Sequence, residues 1–142
     1  MNQSQNKLLD LNTLLWFLEG NQNLPIKIKN LIENENGINY ISATSIWELA
    51  MRVQNKEIEI HFPLRVLETI LFQNHILILQ PGINEYETIS QLPGNPDYLF
   101  NRMLIAMAIN KNLLLISTEM SIAYAGLSLE YWKPHSFILS PK

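Results

Sequence analysis

The sequence predicts an α/β fold with a mainly parallel sheet, because short apolar runs alternate with stretches of helical periodicity. The apolar runs have the length of buried strands, and most are separated by segments with apolar residues three and four positions apart. Glycine and proline fall between the periodic segments, as expected of turns. Strands are predicted at 7–9, 40–41, 76–79, 113–116 and 137–139.

Six amphipathic or apolar stretches predict the helices of this fold. The last of them is almost wholly apolar and carries Met103 and Met107, so we expect it to lie in the core, where methionine fills gaps between other side chains. The predicted helices are 13–19, 24–33, 45–53, 63–73, 84–91 and 98–110.

Composition predicts a single domain over residues 1–142 with a frayed segment at 1–6. Hydrophobic residues make up 47% of the chain and charged residues 16%, which excludes extended disorder. The absence of cysteine excludes disulfides and thiolate metal sites, and no apolar run is long enough to span a bilayer. We therefore expect a cytoplasmic protein. Its formal charge of -3 predicts that any nucleic acid binds to a local basic patch, with Lys27 and Lys29 or Arg52 and Lys56 as candidates.

Acidic residues follow several of the predicted strands. Asp10 ends the first strand, Glu48 lies early in the helix after the second, and Glu119 follows the strand at 113–116. Asp97 precedes the long apolar helix. Because ligands of open parallel sheets bind outside the carboxyl ends of the strands, these acids are the candidate site residues.

Each candidate acid also has a purely structural interpretation. Ser45 to Glu48 matches the S-x-x-E capping box, in which the glutamate bonds to a backbone amide at the start of a helix. Asp10 and Asp97 stand where helix caps are common, and Glu119 is placed to favour a helix dipole. The sequence pattern alone leaves open whether these acids form a shared site or four separate caps.

Other catalytic patterns are missing. His61, His75 and His135 show no metal-ligand spacing, which argues against zinc. The glycines form neither a dinucleotide-binding fingerprint nor a phosphate-binding loop, and no G-x-S-x-G sequence is present to support a serine hydrolase.

Four blocks of the chain together resemble the PIN-domain toxins of the VapC type. The resemblance runs in order from about residue 7 to residue 132, and its combination of blocks is more specific than any one of them. The blocks are Leu8-Leu9-Asp10 with the apolar run up to Leu18, 40–50 with Trp47-Glu48, 100–108 with Asn101-Arg102, and 115–119 ending in Glu119.

The resemblance implies a three-layer α/β/α sandwich with a site for Mg²⁺ or Mn²⁺. It implies Asp10, Glu48 and Glu119 as catalytic residues, and Asp10, Glu48 and Asn101 as metal ligands. Asp97 is a further candidate metal ligand from its helical spacing to Asn101, not from the resemblance. The chain departs from the family in its third block, where D-P-F-D-R is replaced by Tyr98 to Arg102, so that Asn101 stands in place of an acid. An asparagine oxygen can bind magnesium but brings no charge, which Asp97, four residues earlier, is placed to supply in part.

The resemblance implies a metal-dependent endoribonuclease, the toxin of a type II toxin-antitoxin pair, with RNA as substrate, a VapB-like antitoxin as partner and a homodimeric state. The altered third block favours an alternative, a degenerate PIN domain that binds RNA or antitoxin without cleavage. A third interpretation is an α/β module whose acids are all caps. For Trp47 and Trp132 we expect core packing, with antitoxin contact as the alternative. The RNA-binding residues cannot be assigned from sequence.

Overall fold

The computed structural model describes residues 5–92 and 99–118, together with the backbone of 129–132 and 138–139. Strands and helices alternate through most of this part of the chain. The strands are β1 Lys7–Leu9, β2 Asn39–Ser42, β3 Ile76–Leu79, β4 Leu114–Ser117, β5 Leu129–Trp132 and β6 Ile138–Leu139. The helices are α1 Leu11–Glu19, α2 Ile26–Glu33, α3 Ala43–Gln54, α4 Leu67–Gln73, α5 Ile83–Gln91 and α6 Leu99–Lys111, with a 3₁₀ turn at Leu64–Val66 before α4.

All six described strands form one sheet in the order β3-β2-β1-β4-β5-β6. The pairings among the first five are parallel, and β6 runs antiparallel to β5 at one edge. β1 lies at the centre, where Leu9 pairs with Ile41 on one side and Ile116 on the other. The carboxyl ends of these three strands therefore meet at one edge of the sheet.

Two apolar clusters cover the two faces of the sheet, as the alternation of side chains along each strand requires. Leu9 and its neighbours Ile41 and Ile116 pack with residues of α1, α2, α3 and α4. The preceding residue of β1, Leu8, packs with Leu115 and the buried residues of α6. Helices on both faces of a central sheet make the three-layer α/β/α sandwich, and the fold class expected from the sequence is confirmed.

Most predicted elements are confirmed, with boundaries that move by a few residues. Strands such as β3 and β4 were evident as aliphatic runs, whereas β5 was missed because Leu129–Trp132 has no such run. The core role of α6 is confirmed, since every residue from Met103 to Ala108 is buried. No helix in the described ranges is long and apolar enough to cross a membrane.

Two glycines allow the turns that place α1 and β2. Gly20 ends α1 in the left-handed conformation, with φ of 64°, and its amide donates to the Phe17 carbonyl. Gly37 lies so close to the backbone of Gln5 that any side chain at this position would collide with it. The chain thus passes close to its own start just before β2 pairs with β1.

A buried carboxylate joins α5 to α6. Glu85 is 3% exposed; its Oε1 accepts a hydrogen bond from the Gly82 amide at 2.8 Å, and its Oε2 accepts one from Asn110 at 3.2 Å. The Lys111 ammonium lies 3.9 Å from Oε2. Burial alone would raise the pKa of Glu85, but the Gly82 amide, Asn110 and Lys111 outweigh it and hold the pKa below its ordinary value of 4.5.

Candidate functional site at the carboxyl edge of the sheet

Asp10 occupies the carboxyl end of the central strand. It directly follows β1, its amide donates to the Ile116 carbonyl at 3.0 Å, and it forms the N-cap of α1. Its side-chain Oδ1 accepts a hydrogen bond from the Thr13 amide at 2.8 Å, which confirms the predicted cap. The cap uses only one carboxylate oxygen, and the other oxygen, Oδ2, faces the end of β4.

The second oxygen of Asp10 is held by the residues that end β4. Oδ2 accepts hydrogen bonds from the Ser117 hydroxyl at 3.0 Å, the Thr118 amide at 2.9 Å and the Thr118 hydroxyl at 3.2 Å. Asn12 in turn donates to the Thr118 hydroxyl at 3.2 Å. These bonds fix the orientation of a carboxylate that is only 4% exposed.

The hydrogen-bond donors to the Asp10 carboxylate are all uncharged. In residues 5–92 and 99–118, no lysine, arginine or histidine forms an ion pair with this carboxylate. Neutral hydrogen bonds stabilise an anion without cancelling its charge, so a negative potential remains at the carboxyl edge of the sheet. A cap alone does not require a full charge, since serine and asparagine cap helices as well.

Glu48 lies on α3, the helix that directly follows β2. Its Oε2 lies 2.9 Å from a guanidinium nitrogen of Arg52, one helical turn further on. The predicted capping box is wrong, because α3 begins at Ala43 and its N-cap is Ser42, whose hydroxyl accepts from the Thr44 amide at 3.1 Å. Ser45 therefore lies inside the helix, fully buried.

Asn101 lies near the described start of α6. This helix ends at Lys111, shortly before Leu114, which pairs with Lys7 at the amino end of β1. Since 13 residues of helix span about 20 Å, the first turn of α6 lies towards the carboxyl edge. Asn101 is partly buried, and the next residue, Arg102, donates to the carbonyls of Ile89 and Leu92 at the end of α5.

An aromatic contact joins α3 to α6 beside these residues. The rings of Trp47 and Phe100 meet edge to face, with centroids 5.3 Å apart and planes at 82°. Each aromatic residue immediately precedes a candidate site residue, Glu48 or Asn101. The expectation that Trp47 packs in the core is wrong, because 54% of it is exposed.

The remaining candidates lie elsewhere or outside the described residues. Asp97 and Glu119 belong to segments that the structure does not describe, as do His135 and the side chain of Trp132, so their predicted roles stay predictions. His61 and His75 are exposed. Within the described ranges, no group of three or more histidine, cysteine, aspartate or glutamate side chains is placed to hold a metal ion.

The described donors fit one magnesium ion better than a pair. Asp10, Glu48 and Asn101 offer only hard oxygen ligands, which magnesium prefers. The hydrogen bonds to Asp10 are of the kind that orient a carboxylate ligand from behind. Two carboxylates and a neutral amide, however, bring too little charge to balance two divalent ions.

Sequence reasoning missed the residues that hold the acids in place. Ser117, Thr118 and Asn12 carry no charge, and the search for a site considered acids first. The available signal was their placement at the carboxyl ends of two neighbouring strands, Asn12 just after β1 and Ser117 and Thr118 at the end of β4. Arg52 was considered only as part of a basic patch, although its spacing of four residues from Glu48 is typical of a helical ion pair.

Comparison with solved structures supports this architecture. The chain is similar to a toxin-antitoxin complex from Klebsiella pneumoniae, with 17% identity, a TM-score of 0.60, and coverage of 93% of this chain and 100% of the other. It is also similar to VapBC2 from Rickettsia felis bound to a DNA fragment from their promoter, with 17% identity, a TM-score of 0.62, and coverage of 91% and 100%. The chain has a VapC-like PIN fold. No family model matches the sequence, and no curated protein matches it significantly.

Proposed function

We propose that this chain is the toxin component of a type II toxin-antitoxin pair and a magnesium-dependent endoribonuclease that hydrolyses RNA phosphodiester bonds. The observation that carries the proposal is the Asp10 carboxylate. It is buried and rigidly oriented at the carboxyl edge of a VapC-like sheet, and none of the described cations forms an ion pair with it. A divalent cation is the partner that this arrangement suits.

In this proposal each candidate side chain has its own role at the metal site. Asp10 binds the metal through Oδ1, which accepts one hydrogen bond where Oδ2 accepts three. Glu48 and Asn101 are the further ligands on α3 and α6. Glu119 is proposed to help position the attacking water, on the strength of the resemblance alone. Asp97 is proposed to add charge, on the strength of its spacing of four residues from Asn101. When bound, magnesium or manganese would offset the negative charge that develops on the phosphate.

The proposal extends to partners and location. One similar structure is described as a toxin-antitoxin complex and the other as VapBC2 bound to promoter DNA, which supports a VapB-like antitoxin as the partner of this chain. A homodimer, an RNA substrate and a cytoplasmic location belong to the same proposal. The half-exposed Trp47 is a candidate for antitoxin contact.

The test is cleavage of a structured RNA by the purified protein, with magnesium and with a chelator. We expect cleavage with magnesium only, and a loss of at least about a hundredfold in Asp10→Asn, because removal of a direct ligand weakens both metal binding and charge stabilisation. The matched control is Glu87→Gln, which neutralises an exposed acid on α5 and should leave cleavage unchanged. Cleavage that survives chelation, or that persists in Asp10→Asn, would reject a magnesium-dependent mechanism with Asp10 as a metal ligand.

A degenerate PIN domain that binds without cutting is the second candidate. It is favoured by the neutral Asn101 and by the ion pair that already occupies Glu48. This candidate predicts RNA or antitoxin binding with no cleavage at any magnesium concentration. A gel-shift assay run beside the cleavage assay separates the two.

A further inference from the structure

Arg52 occupies the carboxylate that the proposed metal requires. A guanidinium nitrogen lies 2.9 Å from Glu48 Oε2, and both side chains are on one face of α3. The Glu48 side chain is 16% exposed and that of Arg52 36%, so the acid is covered while the arginine reaches solvent. A cation that approaches Glu48 therefore meets a carboxylate whose charge is already balanced.

A divalent metal and Arg52 compete for the same carboxylate. A guanidinium and a magnesium ion are both attracted to the Glu48 oxygens, and a dication placed beside Arg52 also repels its charge. Metal binding at Glu48 is thus expected to push the guanidinium outwards. The flexible, partly exposed arginine side chain can follow without a change of the helix backbone.

A released arginine at this position suits a phosphate. Guanidinium groups bind phosphate oxygens through two parallel hydrogen bonds, and they are common in nucleic-acid sites for that reason. The whole chain carries a formal charge of -3, so attraction of RNA depends on local cations. Before metal binds, the nearby carboxylate of Glu48 cancels the charge of Arg52.

We propose that Arg52 is a phosphate-binding residue that Glu48 holds back until a divalent cation takes the carboxylate, so that metal binding and RNA binding are coupled. This coupling rests on the proposed metal site, and Arg52 is the residue that links metal binding to RNA binding. Because such coupling is reciprocal, RNA binding also strengthens metal binding. The metal-free protein is accordingly a weak RNA binder.

The test measures metal affinity and RNA affinity separately, without turnover. Manganese binding is followed by the loss of its free electron paramagnetic resonance signal, and RNA binding by fluorescence anisotropy of a 2′-O-methylated oligonucleotide. We expect Arg52→Gln to bind manganese about two- to fivefold more tightly than wild type, since a helical ion pair no longer competes. Manganese should strengthen RNA binding by about tenfold in wild type and far less in the variant.

Two variants control for charge and folding. Arg65→Gln removes the same charge from an exposed position on the 3₁₀ turn and should behave as wild type in both assays. Arg52→Lys keeps the charge without the paired donors, and we expect intermediate values. The coupling is wrong, while the metal site stands, if Arg52→Gln binds manganese no more tightly than wild type. It is also wrong if manganese strengthens RNA binding as much in Arg52→Gln as in wild type. If no form binds manganese, the metal site and the coupling fall together.

Discussion

Two carboxylates in this protein are buried to the same extent, yet their surroundings differ. Glu85 is 3% exposed and Asp10 4%. Glu85 has the Lys111 ammonium 3.9 Å away, and its donors Asn110 and Lys111 are exposed residues. Asp10 instead has neutral donors, of which Ser117 is fully buried.

The difference separates a structural acid from a candidate ligand. The charge of Glu85 is balanced inside the α5–α6 interface, and nothing further is needed to explain it. The charge of Asp10 is oriented but not balanced by a described cation, which is the arrangement expected of a carboxylate that binds a metal. Burial alone would have ranked the two acids equally.

The largest stability effect should come from Asp10→Ala. The change removes the cap of α1 and takes away the carboxylate that accepts hydrogen bonds from the Thr118 amide and the Ser117 hydroxyl. We expect the free energy of unfolding to fall by about 3 kcal/mol. Urea unfolding measures it, with Glu19→Ala, an exposed acid at the end of the same helix, as the control. A loss below about 1 kcal/mol would mean that these bonds are not formed.

Glu85→Ala should lower the free energy of unfolding less than Asp10→Ala does, although Glu85 is just as buried. Its partners Asn110 and Lys111 are exposed and can turn to water once the acceptor is gone. We expect a loss of about 1–2 kcal/mol in the same urea experiment. Glu87→Ala, an exposed acid two residues further along α5, should change little. A cost larger than that of Asp10→Ala would contradict the contrast between the two acids.

The pH dependence of stability gives a smaller effect that also distinguishes them. The pKa of Glu85 is lower in the folded protein than its ordinary value of 4.5. Its stabilising contribution is therefore complete above pH 4.5 and is lost as the pH falls through the lower folded value. Between pH 6 and pH 3 the free energy of unfolding should fall less in Glu85→Gln than in wild type. An identical pH dependence would show that the hydrogen bonds from Gly82 and Asn110 and the ion pair with Lys111 do not lower the pKa of Glu85 in solution.

The fold was predictable because its strands are short aliphatic runs, several of them largely buried. An aliphatic run such as Ile76–Leu79 shows where its strand begins and ends, and the parallel sheet follows from the alternation of these runs with helices. Leu129–Trp132, with a glutamate and two aromatic residues, gives no such signal. The start of α3 was misplaced because Ser42 and Ser45 both suit a cap. In the fold Ser42 is the last residue of β2, where it pairs with Leu79 of β3, and the helix begins directly after it.

The candidate site was predictable in part. Asp10 directly follows β1, and Glu48 lies on α3, which begins at the carboxyl end of β2, so their approximate positions follow from the topology. The partners of Asp10 do not follow from local sequence, since Ser117 and Thr118 lie 107 and 108 residues away. Long-range hydrogen bonds of this kind depend on strand order, which places β4 beside β1.

Thermal stability of wild type and Asn101→Asp, each with and without magnesium, tests the central claim that the carboxyl edge binds a divalent cation. Without magnesium, the added carboxylate should lower the Tm by about 2–4 °C through like-charge repulsion. With magnesium, the variant should gain more in Tm than wild type, because the new charge favours the cation. Asn30→Asp, the same change at an exposed position on α2, should show no response to the metal beyond that of wild type. If magnesium raises the Tm of neither wild type nor Asn101→Asp, the metal site is contradicted.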